Sequence, residues 1–229
     1  MRSSITLMRL LSRLILLGTA ASAALLSSCE TSPMAGGGGT YRVVAHRPQN
    51  PANVRVKVSL AKQNVYVMEG DRCLMMAATT VGIPRKPTPK GNFRIYSKQE
   101  HKRSGSYGFR VQGDRVIPAE AGANIKGRYV GYPMGYWCEF SPAYGFHQGY
   151  VHLQPRSHGC LRLKGEAAAK FFALVRNGTP VNIADSQPED ATLGPKIQRI
   201  DDSKTPDLPG SIMISDAAFT KPSGPPLEN

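Results

Sequence analysis

Apolar and polar residues alternate from Val54 onward, with Val54, Val56, Val58 and Leu60 on one side of an extended chain. Successive side chains of a strand point to opposite faces, so the pattern predicts a half-buried strand. Val65 and Val67 repeat it after the polar turn Lys62-Gln63-Asn64, and the two runs read as a hairpin. Glu69-Gly70-Asp71 is a second turn, and Cys73 to Val81 is a continuously apolar third strand stopped by Gly82. Pro84, Pro87 and Pro89 then fix φ and exclude helix, giving a rigid loop that ends at Gly91. Phe93 and Ile95 start another strand. Lys98 to Val130 has no clear period; it is basic and glycine-rich and reads as a surface loop or flap. Tyr132-Pro133-Met134-Gly135-Tyr136-Trp137 is the main aromatic cluster, and Tyr144 to Gly149 reads as a strand. The period changes at Glu166 to Val175: Ala167-Ala168-Ala169 favours helix, and Phe171, Phe172, Leu174 and Val175 form its apolar face. Asn177-Gly178 closes it, and Pro180 to Ile183 is a final strand.

Both ends of the chain lack such patterning. Residues 186–229 are rich in Pro, Asp, Ser and Lys and read as a mostly disordered tail, with Ile212-Met213-Ile214 as its one docking candidate. At the other end, Met1 to Arg13 carries three arginines and no acid, and Leu14 to Leu26 is apolar or small throughout. That is the layout of a signal peptide over 1–28, too short for a comfortable membrane span. Residues 29–51, with Gly36-Gly37-Gly38-Gly39 and three prolines, read as a flexible linker, which leaves 52–185 as the folded domain.

Length and composition change this picture little. The chain has 229 residues and 41% apolar residues, enough for one ordinary core. Its net charge of +13 favours polyanionic surroundings such as anionic lipid or a carboxylate-rich wall polymer. There is no nucleic-acid-binding motif and no basic helix interleaved with aromatics. The four cysteines, Cys29, Cys73, Cys138 and Cys160, contain no CxxC pair, which argues against a zinc ribbon or a redox motif. Cys73 and Cys138 are open to two readings, a disulfide or two buried thiols.

The chemistry concentrates in Ser157-His158-Gly159-Cys160-Leu161-Arg162-Leu163. A thiol attacks as thiolate and needs an activating neighbourhood, which His158 and Arg162 offer. Gly159 permits a turn with positive φ that brings peptide N–H groups to a reacting carbonyl. His147 lies upstream, far enough to come from a separate strand, and a Cys/His pair of this kind can form a nucleophile and its base. A zinc site on His147, His152, His158 and Cys160 is the alternative, weakened by the lack of a general-base Glu in the run.

This motif, with the upstream Phe146-His147-Gln148-Gly149, resembles the signature of the L,D-transpeptidase catalytic domain (YkuD-like). Gln63-Asn64-Val65-Tyr66-Val67, Val81-Gly82 and Thr88-Pro89-Lys90-Gly91 extend the resemblance, which covers Val54 to Ala184. It implies a mainly β, sandwich-like catalytic domain with one short helix and flexible flanks. It implies that Cys160 is the nucleophile, His147 the proton donor and acceptor, His158 a supporting group and Gly159 part of a backbone oxyanion site. It further implies peptidoglycan stem peptides as substrates, attacked to give a thioester with release of a D-amino acid, and an amine acceptor that can be a wall-linked protein. Neither metal nor organic cofactor is required. Met134, Tyr136 and Trp137 are candidates for a substrate groove, and Arg162 either holds the loop or meets a substrate carboxylate. Leu26-Ser27-Ser28-Cys29 resembles a bacterial lipobox, which implies lipidation of Cys29 and a membrane anchor at the periplasmic face. Water as acceptor gives an L,D-carboxypeptidase, the same thiol can cleave wall-protein links, and loss of turnover gives a peptidoglycan-binding lipoprotein.

Overall fold

The described residues form a pair of five-stranded sheets, the first of them opened by the alternating runs. The computed structural model describes residues 41–219, 221 and 226–229. The signal-peptide and Cys29 readings therefore lie outside the described residues. Strands β1 (Val54–Ser59), β2 (Asn64–Glu69) and β3 (Arg72–Ala78) form an antiparallel meander, as the alternation predicts. The first sheet is completed by β10 (Pro180–Ala184), which pairs with β1 in parallel, and β4 (Gly91–Arg94) at the edge, in the order β3-β2-β1-β10-β4.

The second sheet has the order β6-β5-β7-β8-β9. It is built on two long strands, β5 (Ser97–Gln112) and β7 (Arg128–Ser141), with β6 (Arg115–Glu120) at the edge beyond β5, and β8 (Tyr144–Gln148) and then β9 (Leu161–Leu163) at the other edge beyond β7. Val54, Val56, Val58, Val65 and Val67 of the first sheet meet Phe140, Phe146, Leu161 and Leu163 of the second in one buried core. Helix α1 (Gly165–Leu174) packs Phe171 and Leu174 into the same core. The sheets are also tied along the edge that carries the motif, where Thr80 bridges Arg162 and Gly82 bridges Ser157.

Lys98 to Val130 is thus mostly paired strand rather than loop. Both faces of β5 are polar and half exposed, so the pattern gives no alternation, and backbone pairing with β7 holds it instead.

The two flanks also depart from the sequence reading. Residues 41–51 are not a free linker: Val43 and Ala45 are buried, and the His46 amide donates to the Leu74 carbonyl at 2.9 Å. Over its described residues the tail from 186 onward is docked, not disordered. Leu193, Ile197 and Ile200 cover Tyr66, Met68 and Met76 on the outer face of the first sheet. Asp190, in α2 (Glu189–Thr192), accepts hydrogen bonds from Ser59, Tyr66 and Asn64. Further on, Arg103 donates to the carbonyls of Met213 and Ser215 flanking the end of α3 (Gly210–Met213), and His101 stacks on Phe219 at 4.8 Å. At the C-terminus the Glu228 amide donates to the Ala45 carbonyl at 2.7 Å. The apolar residues of the tail are single and aperiodic, and they anchor it by contact without a repeating element.

Asp202 is the most committed group of this strap. It is buried, accepts from the Val151 amide at 2.9 Å and pairs with Lys164 at 2.5 Å. Asp202→Ala is expected to lower stability by about 2–4 kcal/mol, because a buried amide and an ammonium lose their acceptor. Chemical denaturation read by tryptophan fluorescence measures it; an unchanged midpoint would show that the strap contributes nothing there.

Candidate active site

Strands β8 and β9 run in parallel with His147 opposite Arg162, and this register sets the site. Cys160 ends the loop that enters β9, so the thiol stands beside the strand that carries His147. That loop is held from both sides. Ser157 donates through Oγ to the Cys160 carbonyl at 2.6 Å and accepts from the Gly159 amide at 3.0 Å. The Ser157 amide in turn donates to the Val81 carbonyl at 3.0 Å, and Arg162 exchanges backbone bonds with Thr80. Ser157 is buried and fully engaged, which fits a structural part.

A cavity of about 540 Å³ opens over the thiol. Cys160, His147, His158 and Arg162 all line it, together with Tyr132, Met134 and Trp137 from β7. Tyr136 does not. Its φ of 56° shifts the alternation of β7 by one, so Met134 and then Trp137 face the cavity while Tyr136 packs edge-on against Phe172 of α1, with ring centroids 5.7 Å apart. The groove assignment of Tyr136 is therefore corrected to a core contact. Gly159 keeps its turn, with φ 111°, but its amide is committed to Ser157 and is not free for an oxyanion. Residues missed by sequence reading complete the wall: Lys102 and Tyr107 from β5, Glu139 from β7 and Tyr144 from β8. Only the polar stretch of β5 could have signalled Lys102 and Tyr107, and it lacks the alternation that would have marked it as a strand.

His152 is not part of this arrangement. Its amide donates to Thr80 Oγ1 at 2.7 Å, and its ring lies 3.6 Å from Asp201 of the strap. The four residues of the zinc alternative are thus not gathered, and no group of three or more metal-binding side chains forms among the described residues. Cys73 and Cys138 are both buried and are not bridged to each other, one lying on the first sheet and one on the second.

The electrostatics of the pair are specific. His147 is buried and Nδ1 donates to the Gln148 carbonyl at 2.7 Å, which leaves Nε2 as the nitrogen that can take a proton. Burial, helped by the Arg162 charge, pulls its pKa down to about 4, against that hydrogen bond. Burial also pushes the Cys160 thiol up, opposed by a backbone contact at Gly145 and by Arg162. The resting pair is a neutral thiol and a neutral imidazole. His158 packs on Tyr107 at 4.4 Å, and burial together with Lys86, Arg162 and Arg85 holds its pKa below the usual histidine value.

The model of the L,D-transpeptidase catalytic domain family (YkuD) matches residues 53–183. The chain belongs to that family. The match takes in both sheets' shared core and every residue of the cavity discussed here. Among solved structures, the L,D-transpeptidase domain is similar to one from Stackebrandtia nassauensis, at 19% identity and a TM-score of 0.44, covering 63% of this chain and 60% of that one. L,D-transpeptidase 1 of Mycobacterium tuberculosis is similar at 20% identity and a TM-score of 0.43, covering 58% of this chain and 61% of that one. The catalytic domain of an E. faecium L,D-transpeptidase is similar at 22% identity and a TM-score of 0.42, with 58% of this chain and 98% of that one covered. No curated protein matches by sequence. The L,D-transpeptidase domain thus spans about three fifths of the length of the first two structures, and the strap from residue 186 onward lies outside the matched family region.

Proposed function

We propose that this L,D-transpeptidase domain is a cysteine acyltransferase acting on peptidoglycan stem peptides. One observation carries the reading: a half-buried thiol and a buried neutral imidazole with its Nδ1 tied line one cavity. As Cys160 attacks the carbonyl of an L-centred residue, its proton passes to His147 Nε2 and the S–C bond forms. The amides of His158 and Cys160, rather than that of Gly159, are the donors for the oxyanion. The C–N bond to the D-residue then breaks, and His147 returns the proton to the leaving amine. An acceptor amine attacks the thioester, gives its proton to His147, and the thiol is regenerated. Water in the same place gives a carboxypeptidase. His158 supports the loop through its contact with Tyr107.

Cys29 is proposed to be lipidated, which would hold the enzyme at the periplasmic face of the envelope. Labelled palmitate incorporated by the full chain and lost in Cys29→Ala tests this; labelling of both would overturn it.

Incubation of the full chain with disaccharide-tetrapeptide muropeptides, read by mass spectrometry, tests the reaction. Loss of the terminal D-residue with a new dimer is the expected result, and loss without a dimer assigns the carboxypeptidase reaction. Unchanged muropeptides, with Cys160 still open to alkylation, would favour binding without turnover.

The pH dependence follows from the depressed imidazole. His147 accepts a proton only when unprotonated, and its pKa lies near 4 and not at the ordinary 6.5. The acylation rate constant should therefore rise through about pH 4 and be nearly level by about pH 6. An acid limb centred near 6.5 in stopped-flow acylation would contradict a buried base.

A further inference from the structure

The strap, which lies outside the matched family region, grips the wall of the cavity from behind. Lys102 lines the cavity, so its neighbours His101 and Arg103 point to the opposite face of β5. There Arg103 Nη1 donates to the Gly131 carbonyl at 3.0 Å and the Met213 carbonyl at 2.9 Å, and Nη2 to the Ser215 carbonyl at 2.7 Å. The Arg103 guanidinium carbon lies 4.9 Å from the centroid of the Phe219 ring, the ring that stacks on His101. Lys221, two residues on, pairs with Glu100 at 3.3 Å.

This grip falls at a break in the β5–β7 ladder. Arg103 pairs with Pro133 and Gly108 with Gly131, so residues 104–107 stand against Tyr132 alone and bulge out. A Cβ at Gly131 would stand 2.0 Å from the Ser104 carbonyl oxygen, and one at Gly108 2.2 Å from the Val130 carbonyl oxygen, so bare backbone seats the bulge. Inside it Ser104 Oγ accepts from the amides of Ser106 at 3.2 Å and Tyr107 at 3.1 Å. Ser104, Gly105, Ser106 and Tyr107 all line the cavity. Tyr107 also reaches its far side: the ring packs on His158 at 4.4 Å, and the hydroxyl accepts from Lys86 at 2.5 Å.

We propose that Arg103 is a positioning residue: held by the strap, it sets the bulge so that Tyr107 rests on the thiol loop. For turnover the inference rests on the acyl-transfer reading above; for access to the thiol it stands by itself. Arg103 immediately precedes the bulge and is its base. An ionised fork on three carbonyls fixes both the place and the direction of that base, and two of the carbonyls belong to the strap. Without the fork, the bulge moves and Tyr107 leaves His158. The way to Cys160 then widens, while a stem peptide loses the wall that aligns it.

The test follows Cys160 of the full chain with two reagents, iodoacetamide and the disaccharide-tetrapeptide, by mass spectrometry with peptide mapping. Arg103→Gln should be alkylated about tenfold faster and acylated about tenfold more slowly, the loss falling on kcat more than on KM. Cys73 and Cys138 should stay unlabelled, which shows that the core is closed. Arg103→Lys keeps the charge without the fork and should fall between. Phe219→Ala, which removes only the strap's ring, should change both rates in the same directions. The deciding comparison is made on Tyr107→Ala. Arg103 and Tyr107 act through one element, so adding Arg103→Gln there should change either rate by less than about twofold, whereas independent sites would give the full factor again. Wild-type rates in Arg103→Gln, or the same factors with and without Tyr107, overturn the positioning role. No thioester from the wild type, with alkylation still faster in Arg103→Gln and level on Tyr107→Ala, overturns the acyl-transfer reading and upholds the hold of the strap on the bulge.

Discussion

A carbapenem-type β-lactam should add one adduct to the intact chain, and Cys160→Ala should abolish it completely. The strained lactam carbonyl is an acyl donor, and its ring nitrogen leaves the carbonyl but stays tethered, so the mass rises by one whole drug molecule. Three features of the site argue for a single, specific event. Cys160 is open to the cavity, whereas Cys73 and Cys138 are buried. Burial pushes Cys138 up to about 12, which removes it as a competing nucleophile. The Cys160 thiol is itself raised at rest, so little thiolate stands ready and the rate depends on proton removal by His147 during attack. His147→Asn should consequently slow adduct formation by about 10²- to 10⁴-fold without changing its final mass. Intact-protein mass spectrometry over time reads both effects. An unmodified wild type would mean that the thiol cannot be reached or activated, and rapid labelling of His147→Asn would mean that another group takes the proton.

The parts legible in the sequence were those where one physical signal dominates. The β1–β2 hairpin is legible because the valines of both strands turn to the face buried between the sheets, and α1 shows itself by its alanines and its apolar face. The motif around Cys160 is legible because its loop is built from local contacts, Ser157 to Cys160 and Gly159 to Ser157. The long hairpin of β5 and β7 was not legible, since its order comes from pairing with a partner some 30 positions away, as in Lys102 with Met134. The same limit hid Lys102 and Tyr107 as cavity residues. Tyr136 was misplaced because a single positive φ inside a strand exchanges faces for everything after it, and an aromatic run gives no sign of that. The strap was misread because its anchors, among them Ile197, Asp202 and Phe219, are isolated positions whose partners lie on other elements.

Gly159→Ala tests whether that local loop geometry is what makes the thiol useful. The residue sits at φ 111°, outside the comfortable range of a side-chain-bearing residue. A Cβ there would stand 2.3 Å from Tyr144 Cε1 and 3.2 Å from the Pro87 carbonyl oxygen. The first contact is impossible, so either the Tyr144 ring or the thiol loop must move. Tyr144 belongs to β8, three residues before His147, and it lines the same cavity. A ring displaced from its place enters the space over the thiol, and a displaced loop shifts Cys160 away from His147. A misplacement of about 1 Å costs roughly 10²-fold in rate, and the strained backbone adds about 1–3 kcal/mol against the active loop. Acylation by the β-lactam should fall by about 10²-fold or more, while the melting temperature falls by only several degrees, as about 1–3 kcal/mol of local strain gives in a chain of this size. Adding Tyr144→Ala separates the two causes. It removes the steric clash and leaves the backbone strain, so the double variant should regain part of the rate lost by Gly159→Ala. If it regains nothing, the positive φ alone sets the loop; if Gly159→Ala acylates at the wild-type rate, the turn is not needed to aim the thiol.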